Sequence, residues 1–445
     1  MTGRLLVTGA RVLTPGGEWP LGWIAVEGRR IAAMGQGQPP PGTGAGADVL
    51  AAEGLIALPG FIDLHVHGAV GVDVMDADPE GLARMARFLA GHGVTAWLPA
   101  TMTASGPDLE RALEAVRSVA GPVEGGATIL GAYLEGPYLN PAKAGAQDPA
   151  LIRPADRAEA GRLLDLGVIR VLVLAPEVED NHWLIAEAAA RGLTVSAGHT
   201  DATYDQALQA VAGGVGHVTH AFNAMRPLGH REPGMLGAAL VLPELRCELV
   251  ADNVHVHPAV MRLLVQAKGP GGVVLVSDAV RATGLPEGAY TVGDQPAFSM
   301  DGAIRLADGT LAGSVLTLDR ALHNLQAATP RTRARASARA AAMRWRVAEL
   351  DMDLPPCCRD GWELVGRGAA GGSRVAGQVI AAVDDGALGH GDHHLQGRVE
   401  QHQVGVLARL EAALGVAGPD RRGGVSAGRR PQLGQRAAGG GLEVV

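Results

Sequence analysis

The sequence predicts an α/β protein built on a (β/α)8 barrel of the TIM type, and three observations point that way. First, apolar β-rich runs recur at Phe61–His67, Thr95–Ala100, Thr128–Glu135, Val168–Ala175, Thr194–His199, Gly216–Phe222, Leu245–His255 and Val273–Asp278. Second, amphipathic stretches rich in Ala and Leu separate most of them, at Asp78–His92, Asp108–Ala120, Arg157–Leu166, Asn181–Arg191 and Tyr204–Ala212. Eight strands alternating with helices is the pattern of a closed parallel barrel. A doubly wound sheet alternates too, but here no glycine-rich phosphate loop follows the first strand. Third, the polar residues that interrupt the runs fall at their C-terminal ends, where such a barrel builds its active site.

Ahead of the barrel, residues 1–56 read as a small β unit. Arg4–Val12 alternates loosely, Trp23–Val26 and Arg30–Met34 are apolar, and Gly35–Asp48 is a Gly- and Pro-rich loop. The barrel takes residues 57–328. Beyond it, residues 329–445 turn into Arg331-Thr332-Arg333-Ala334-Arg335-Ala336 and then Gly-, Ala- and Arg-rich sequence without steady periodicity. Poor order is the expectation for this tail, with local structure at most over 343–366.

Composition narrows the function classes. At 445 residues with 47% hydrophobic content, the chain can bury one large domain and a smaller one. A formal net charge of -8 supplies no basic footprint for nucleic acid. The cysteines, Cys247, Cys357 and Cys358, form neither a Cys-x-x-Cys pair nor an even framework. No secretory leader pattern and no apolar run of about 18 residues is present, so the expectation is a soluble, reduced, cytoplasmic protein without a membrane partner.

The chemistry gathers at the strand ends. In Pro59-Gly60-Phe61-Ile62-Asp63-Leu64-His65-Val66-His67-Gly68, two histidines at i and i+2 of one strand face the same way and can share a metal ion. Glu135 closes the third run, His199 the fifth and His220 the sixth. A carboxylate ending an apolar strand is costly unless it is paired or binds a cation. One carboxylate with two imidazoles suits Zn²⁺ or Fe²⁺ with a position open for water. Each of these residues taken singly is also compatible with a hydrogen-bonded core group; the set at successive strand ends favours a metal.

Asp278 ends the last run, placed to move a proton between a water and a leaving group, though an Asp there can also cap the following helix. His255 is a candidate to orient a substrate oxygen. Arg231, on the loop after the sixth strand, has the fork geometry to clamp a phosphate, and a solvated loop arginine is its plain alternative. His92, His182, His217 and His257 read as helix-end, surface or packing residues. The group His390, His393, His394 and His402 has no strand context and is not expected to hold metal.

These residues resemble the N-acetylglucosamine-6-phosphate deacetylases of the amidohydrolase superfamily, over residues 4 to 327. The shared motifs are Pro59–Gly68, Leu134-Glu135-Gly136-Pro137, Ala197-Gly198-His199-Thr200 and Thr219-His220-Ala221-Phe222-Asn223-Ala224-Met225. Arg231-Glu232-Pro233-Gly234, Ser277-Asp278-Ala279 and Leu311-Ala312-Gly313-Ser314 continue the series. The resemblance implies a barrel with a small β-sandwich made from both chain ends. It implies Glu135, His199 and His220 as metal ligands, Asp278 as the acid/base, and a second metal on His65 and His67 with Glu135 able to bridge. Substrate contacts are implied from Ala146, Gln147, Asn223, Ala224, Arg231, His255 and the turn Leu311, Ala312 and Gly313. It further implies a homodimer in which Arg231 reaches the sugar phosphate of a neighbouring site. The implied reaction is metal-assisted attack of water on the acetyl group of N-acetylglucosamine 6-phosphate, giving glucosamine 6-phosphate and acetate. The galactosamine epimer, another N-acyl substrate and an inactive metal-binding barrel are the alternatives.

Two departures stand out. Many family members carry a histidine where this chain has Gln147, whose amide can donate a hydrogen bond but not carry charge. After Ala328 the family's helix and closing strand pattern is missing, so residues 329–445 are expected to lack the strand that completes the sandwich. A change of reading frame near Ala328 is the explanation put forward.

Overall fold

The first elements follow the short alternating runs. In the computed structural model, which describes residues 3–14, 17–28, 30–329 and 381–384, five strands come first. They are β1 (Arg4–Thr14), β2 (Gly17–Glu27), β3 (Arg30–Gln36), β4 (Asp48–Ala51) and β5 (Leu55–Leu58). Neighbouring residues of β1 point to opposite faces. Leu6 accordingly packs with Trp23 and Ala25, while Val7, Ala10 and Val12 pack with Ile24, Ala52 and Ala57. The small sheet runs on to Leu58, slightly past the expected boundary.

The barrel starts at β6 (Phe61–Val66), followed by a two-stranded ribbon, β7 (Gly68–Ala69) and β8 (Val72–Asp73). Its other strands are β9 (Val94–Pro99), β10 (Thr128–Ile129) with β11 (Ala132–Leu134), β12 (Ile169–Leu174), β13 (Thr194–Ala197), β14 (Val215–Val218), β15 (Arg246–Val250) and β16 (Val273–Val276). All pair in parallel, in the order β6-β9-β10 and β11 through β16. Two seams close the cylinder. Thr101 N donates to Tyr133 O at 3.0 Å, and Asp278 N donates to His65 O at 2.9 Å. Strands covered on both faces should read as continuous apolar runs, and residues 171–174 of β12 and Val273–Val276 do.

Helices α1 (Pro79–Gly91), α2 (Gly106–Val119), α3 (Arg157–Asp165), α4 (His182–Ala190) and α5 (Tyr204–Gly213) lie where the amphipathic stretches predict. In α1, Asp78 caps Glu80 N, Pro79 fills the first position, and Leu82, Met85, Ala86 and Leu89 form the buried stripe. Three further helices are α6 (Gly234–Val241), α7 (Pro258–Lys268) and α8 (Leu318–Ala328). The first of these is apolar all round and buried on most sides, so it carries no helical period to read.

Several strands are shorter than their apolar runs. The third is broken at Gly131, which takes φ 143°. The strand β15 stops at Val250, so His255 lies in the following loop and not at a strand end, which corrects the sequence expectation. Glu135, His199, His220 and Asp278 lie just beyond their strands. The last three take left-handed φ values of 47°, 28° and 52°, which end extended pairing.

Between β16 and α8 comes a four-stranded antiparallel sheet that the sequence reading missed: β17 (Gly288–Val292), β18 (Gln295–Met300), β19 (Ala303–Leu306) and β20 (Leu311–Ser314). Leu311–Gly313, expected as a turn, is therefore strand. The hairpin signal was present in Asp301-Gly302, whose φ values of 53° and 71° suit a type I′ turn.

The tail expectation also needs a correction. A last strand, β21 (Ala381–Asp384), pairs antiparallel with β5 and puts a sixth strand into the N-terminal sheet. Its signal was the apolar run Val379–Val383, which Gly and Asp neighbours obscured. The other expectations for residues 330–445, including local structure over 343–366 and the histidine group, lie outside the described residues.

Candidate metal centre

Parallel closure brings the strand ends together, and with them two groups of ligand atoms. Glu135 Oε1 lies 3.3 Å from His199 Nε2 and 3.1 Å from His220 Nε2, and the two nitrogens are 3.2 Å apart. All three residues are buried. Donors about 2.0–2.1 Å from a tetrahedral zinc lie roughly 3.3 Å from one another, so this spacing fits a divalent cation. Two bare imidazole nitrogens held that close would otherwise repel.

The second group is His65, His67 and Asp278. His65 Nε2 and His67 Nε2 are 3.0 Å apart, and Asp278 Oδ1 lies 3.7 Å and 3.4 Å from them. Glu135 joins the groups, since its Oε2 is 3.2 Å from His67 Nε2. Asp278 thus keeps company with the His-x-His pair, which its place in the sequence did not reveal.

Electrostatics reflects this crowding. Burial alone would raise the Glu135 carboxyl, but His65 and His199 hold it well below the usual range. Burial likewise opposes ionisation of Asp278, yet His65 and His67 pull it down to about 2. Burial would lower His67, whereas Asp278 and Glu135 push it up to about 9. The two carboxylates thus stay ionised beside protonated imidazoles, and ligation of a cation would displace the imidazole protons.

A cavity of about 180 Å³ opens over these groups. It is lined by His67, Glu135, Ala146, Gln147, His199, His220, Asn223, Ala224, His255, Asp278, Leu311 and Gly313, among others. Most of the expected substrate contacts therefore converge. Ala312 is buried beside Val280 and Val292 and does not line the cavity. Arg231 is exposed and also lies outside the lining. Ala146 O accepts from Gln295 Nε2 at 2.7 Å, which ties the antiparallel sheet to the barrel mouth.

Gln147 is fully engaged. Its Nε2 donates to Glu135 Oε2 at 2.8 Å and its Oε1 accepts from Thr103 N at 2.7 Å. His255 Nδ1 lies 2.6 Å from Asp252 Oδ2, leaving Nε2 as the nitrogen free for the cavity. The remaining histidines have local duties. His257 caps α7, His182 Nε2 contacts Pro176 O at 2.8 Å, and His92 Nδ1 lies 3.4 Å from Asp319.

Among the buried acids that escaped the sequence reading, Asp63 and Glu248 lie against the ligand groups. Asp63 Oδ1 accepts from His65 N and Ser277 N, and burial pushes its carboxyl up to about 6. Glu248, in the middle of β15, lies beneath His65 and His220. Both are single acids inside apolar runs, and that oddity was the available signal.

With this geometry in place, the comparisons with known proteins are specific. Residues 56–341 match the model of the amidohydrolase family. The chain belongs to the amidohydrolase family. Among its relatives is the N-acetylglucosamine-6-phosphate deacetylase of Bacillus subtilis, 34% identical over 336 residues, covering 73% of this chain and 83% of that protein. The N-acetylgalactosamine-6-phosphate deacetylase of Escherichia coli O157:H7 is 40% identical over 269 residues, 60% of this chain and 71% of that one. In three dimensions this amidohydrolase superposes on a Mycobacterium smegmatis N-acetyl-D-glucosamine-6-phosphate deacetylase variant in complex with N-acetyl-D-glucosamine 6-phosphate. That match has TM-score 0.76 and 31% identity, with 86% and 96% of the two chains covered.

Proposed function

We infer that the chain is a metal-dependent hydrolase that removes the acetyl group of N-acetyl-D-glucosamine 6-phosphate, releasing D-glucosamine 6-phosphate and acetate. The observation that carries this is the Glu135–His199–His220 group, with donor atoms 3.1–3.3 Å apart at the floor of a small cavity, in an amidohydrolase whose relatives are amino-sugar-phosphate deacetylases. Glu135, His199 and His220 would hold one divalent cation; zinc and iron both suit the donors. His65 and His67, with Asp278 beside them, would hold a second. A cation there would polarise a carbonyl and make water a better nucleophile.

The chain's own groups do the rest. Asp278, buried and ionised, takes the proton of the attacking water as a C–O bond forms to the acetyl carbon. It then gives that proton to nitrogen as the C–N bond breaks. His255, held through Nδ1 by Asp252, presents Nε2 to a substrate oxygen. Asn223, Ala224, Ala146, Leu311 and Gly313 shape the sugar pocket, with Ala312 acting only through its main chain. Gln147 holds Glu135, and in that position it is not free to polarise the acetyl carbonyl.

The phosphate partner is Arg231 of a second subunit. The homodimer rests on the resemblance of Arg231-Glu232-Pro233-Gly234 to the family motif, and Arg231 is exposed on its own chain, as a contact to a neighbouring site requires. Light scattering at assay concentration and the KM of Arg231→Ala test that part. No helix among the described residues is long and apolar enough to cross a membrane.

A second reading has its own observation, the 40% identity to an N-acetylgalactosamine-6-phosphate deacetylase. Comparing kcat/KM for the two epimers decides between them. The gluco reading requires the higher value for N-acetylglucosamine 6-phosphate, and a preference for the galacto epimer overturns it.

A further inference from the structure

Glu248 is a fully buried carboxylate outside the cavity, and the reaction outlined above does not use it. A carboxylate at that depth persists only when its oxygens are well occupied. Oε2 lies 3.1 Å from His65 Nδ1 and accepts from His220 N at 3.1 Å. Oε1 accepts from Tyr133 Oη at 3.0 Å. The Tyr133 ring stacks on His65 at 4.2 Å, and its hydroxyl also meets Thr219 Oγ1 at 2.8 Å. His217 Nδ1 stands 3.6 Å from Oε1.

One acid therefore touches both ligand groups from behind. It meets the ring of His65 in one and the backbone of His220 in the other. His220 has a left-handed φ of 28°, so its N–H contact to Glu248 also helps hold a strained turn. His65 faces His67 and Asp278 through Nε2, which must be bare to ligate, so its proton belongs on Nδ1. The group placed to accept that proton is Glu248. A carboxylate behind a ligating imidazole fixes its tautomer and raises its basicity.

We propose that Glu248 is a positioning residue that locks His65 as an Nε2 ligand and so sets the cation affinity of the His65–His67–Asp278 group. This rests on the two-cation reading above, but not on the identity of the substrate.

The test is zinc titration of the metal-stripped full chain against a competing chelator, for wild type, His65→Ala, Glu248→Gln and Glu248→Asp. Wild type is expected to bind two equivalents and His65→Ala one. In Glu248→Gln the amide oxygen can take the place of Oε2, so geometry survives and the charge is lost. The zinc that His65→Ala abolishes then loses about 10- to 100-fold in affinity while the other moves less than about threefold. The melting temperature of the metal-free variant shows whether it folds. Should the Gln variant not fold, Glu248→Asp carries the test: drawing the carboxylate back loosens both His65 Nδ1 and the His220 N–H, so both zincs weaken, and the zinc that His65→Ala abolishes must weaken more.

Wild-type affinity for both zincs in a folded Glu248 variant overturns the proposal, and so does equal weakening of both. A wild type that binds one zinc, undisturbed by His65→Ala, also overturns it. Acetate release is measured separately on the same wild-type preparation, so failure of the deacetylase reading shows itself independently.

Discussion

Gln147→Met removes both amide contacts of Gln147 while nearly keeping its volume. The lost donor to the Glu135 carboxylate costs about 1.5–3 kcal/mol, and the Thr103 N–H left buried without a partner costs about 1–3 kcal/mol. The two losses share one side chain and do not simply add, so the expected destabilisation is about 2–4 kcal/mol. Denaturant titration of the metal-free protein reads it as a lower midpoint at unchanged slope. Glu135 loses the donor that fixes Oε2, so zinc affinity should fall as well, by about 10- to 100-fold as for other outer partners of a ligand. Gln147→His can restore a donor to Glu135 and should recover part of both losses. A Met variant with wild-type midpoint and wild-type zinc affinity would refute the assignment of Gln147 to Glu135.

Asp278→Asn keeps an oxygen beside His67 but cannot take up a proton, so kcat should fall about 10²- to 10⁴-fold. A rate within tenfold of wild type in a folded, zinc-loaded variant removes Asp278 from proton transfer. Burial pushes the Cys247 thiol from 9.0 up to about 11. The native chain should therefore alkylate there far more slowly at pH 8 than the unfolded chain, as mass mapping of the Cys247 peptide reports. Because the folded value is the higher one, the stability this thiol contributes is complete below pH 9 and lost between pH 9 and 11. The reading-frame proposal predicts that another frame of the coding DNA past Ala328 encodes a helix followed by a Gly-x-x-Ala-Asp-Leu-Val type of strand. If neither alternative frame does, the tail is native sequence.

Much of the barrel and its metal groups could be read from residue order, because parallel strands bury both faces and tolerate polar residues chiefly at their ends. Glu135, His199 and His220 interrupt apolar runs at those ends, and the structure brings their donor atoms within 3.3 Å. The strand limits were less legible. Left-handed turns at His199, His220 and Asp278 stop the ladder earlier than side-chain polarity suggests. Glu248 stayed hidden because its meaning depends on which strands become neighbours. Nothing local to Arg246–Val250 says that Glu248 meets the His65 ring of β6, with β16 between the two strands. Asp278 was legible as a polar residue ending an apolar run, but its contact with His65 and His67 needed barrel closure. The antiparallel sheet at the mouth interrupts the α/β alternation with short strands that are exposed on one face, and Asp301-Gly302 marks its hairpin in the sequence.

The most direct measurement is acetate release from N-acetylglucosamine 6-phosphate by the purified full chain, before and after chelation and after zinc or iron is restored. The account predicts one acetate and one primary amine per substrate consumed, loss of turnover on chelation, and recovery with the metal. A folded, metal-loaded chain that releases no acetate would contradict it.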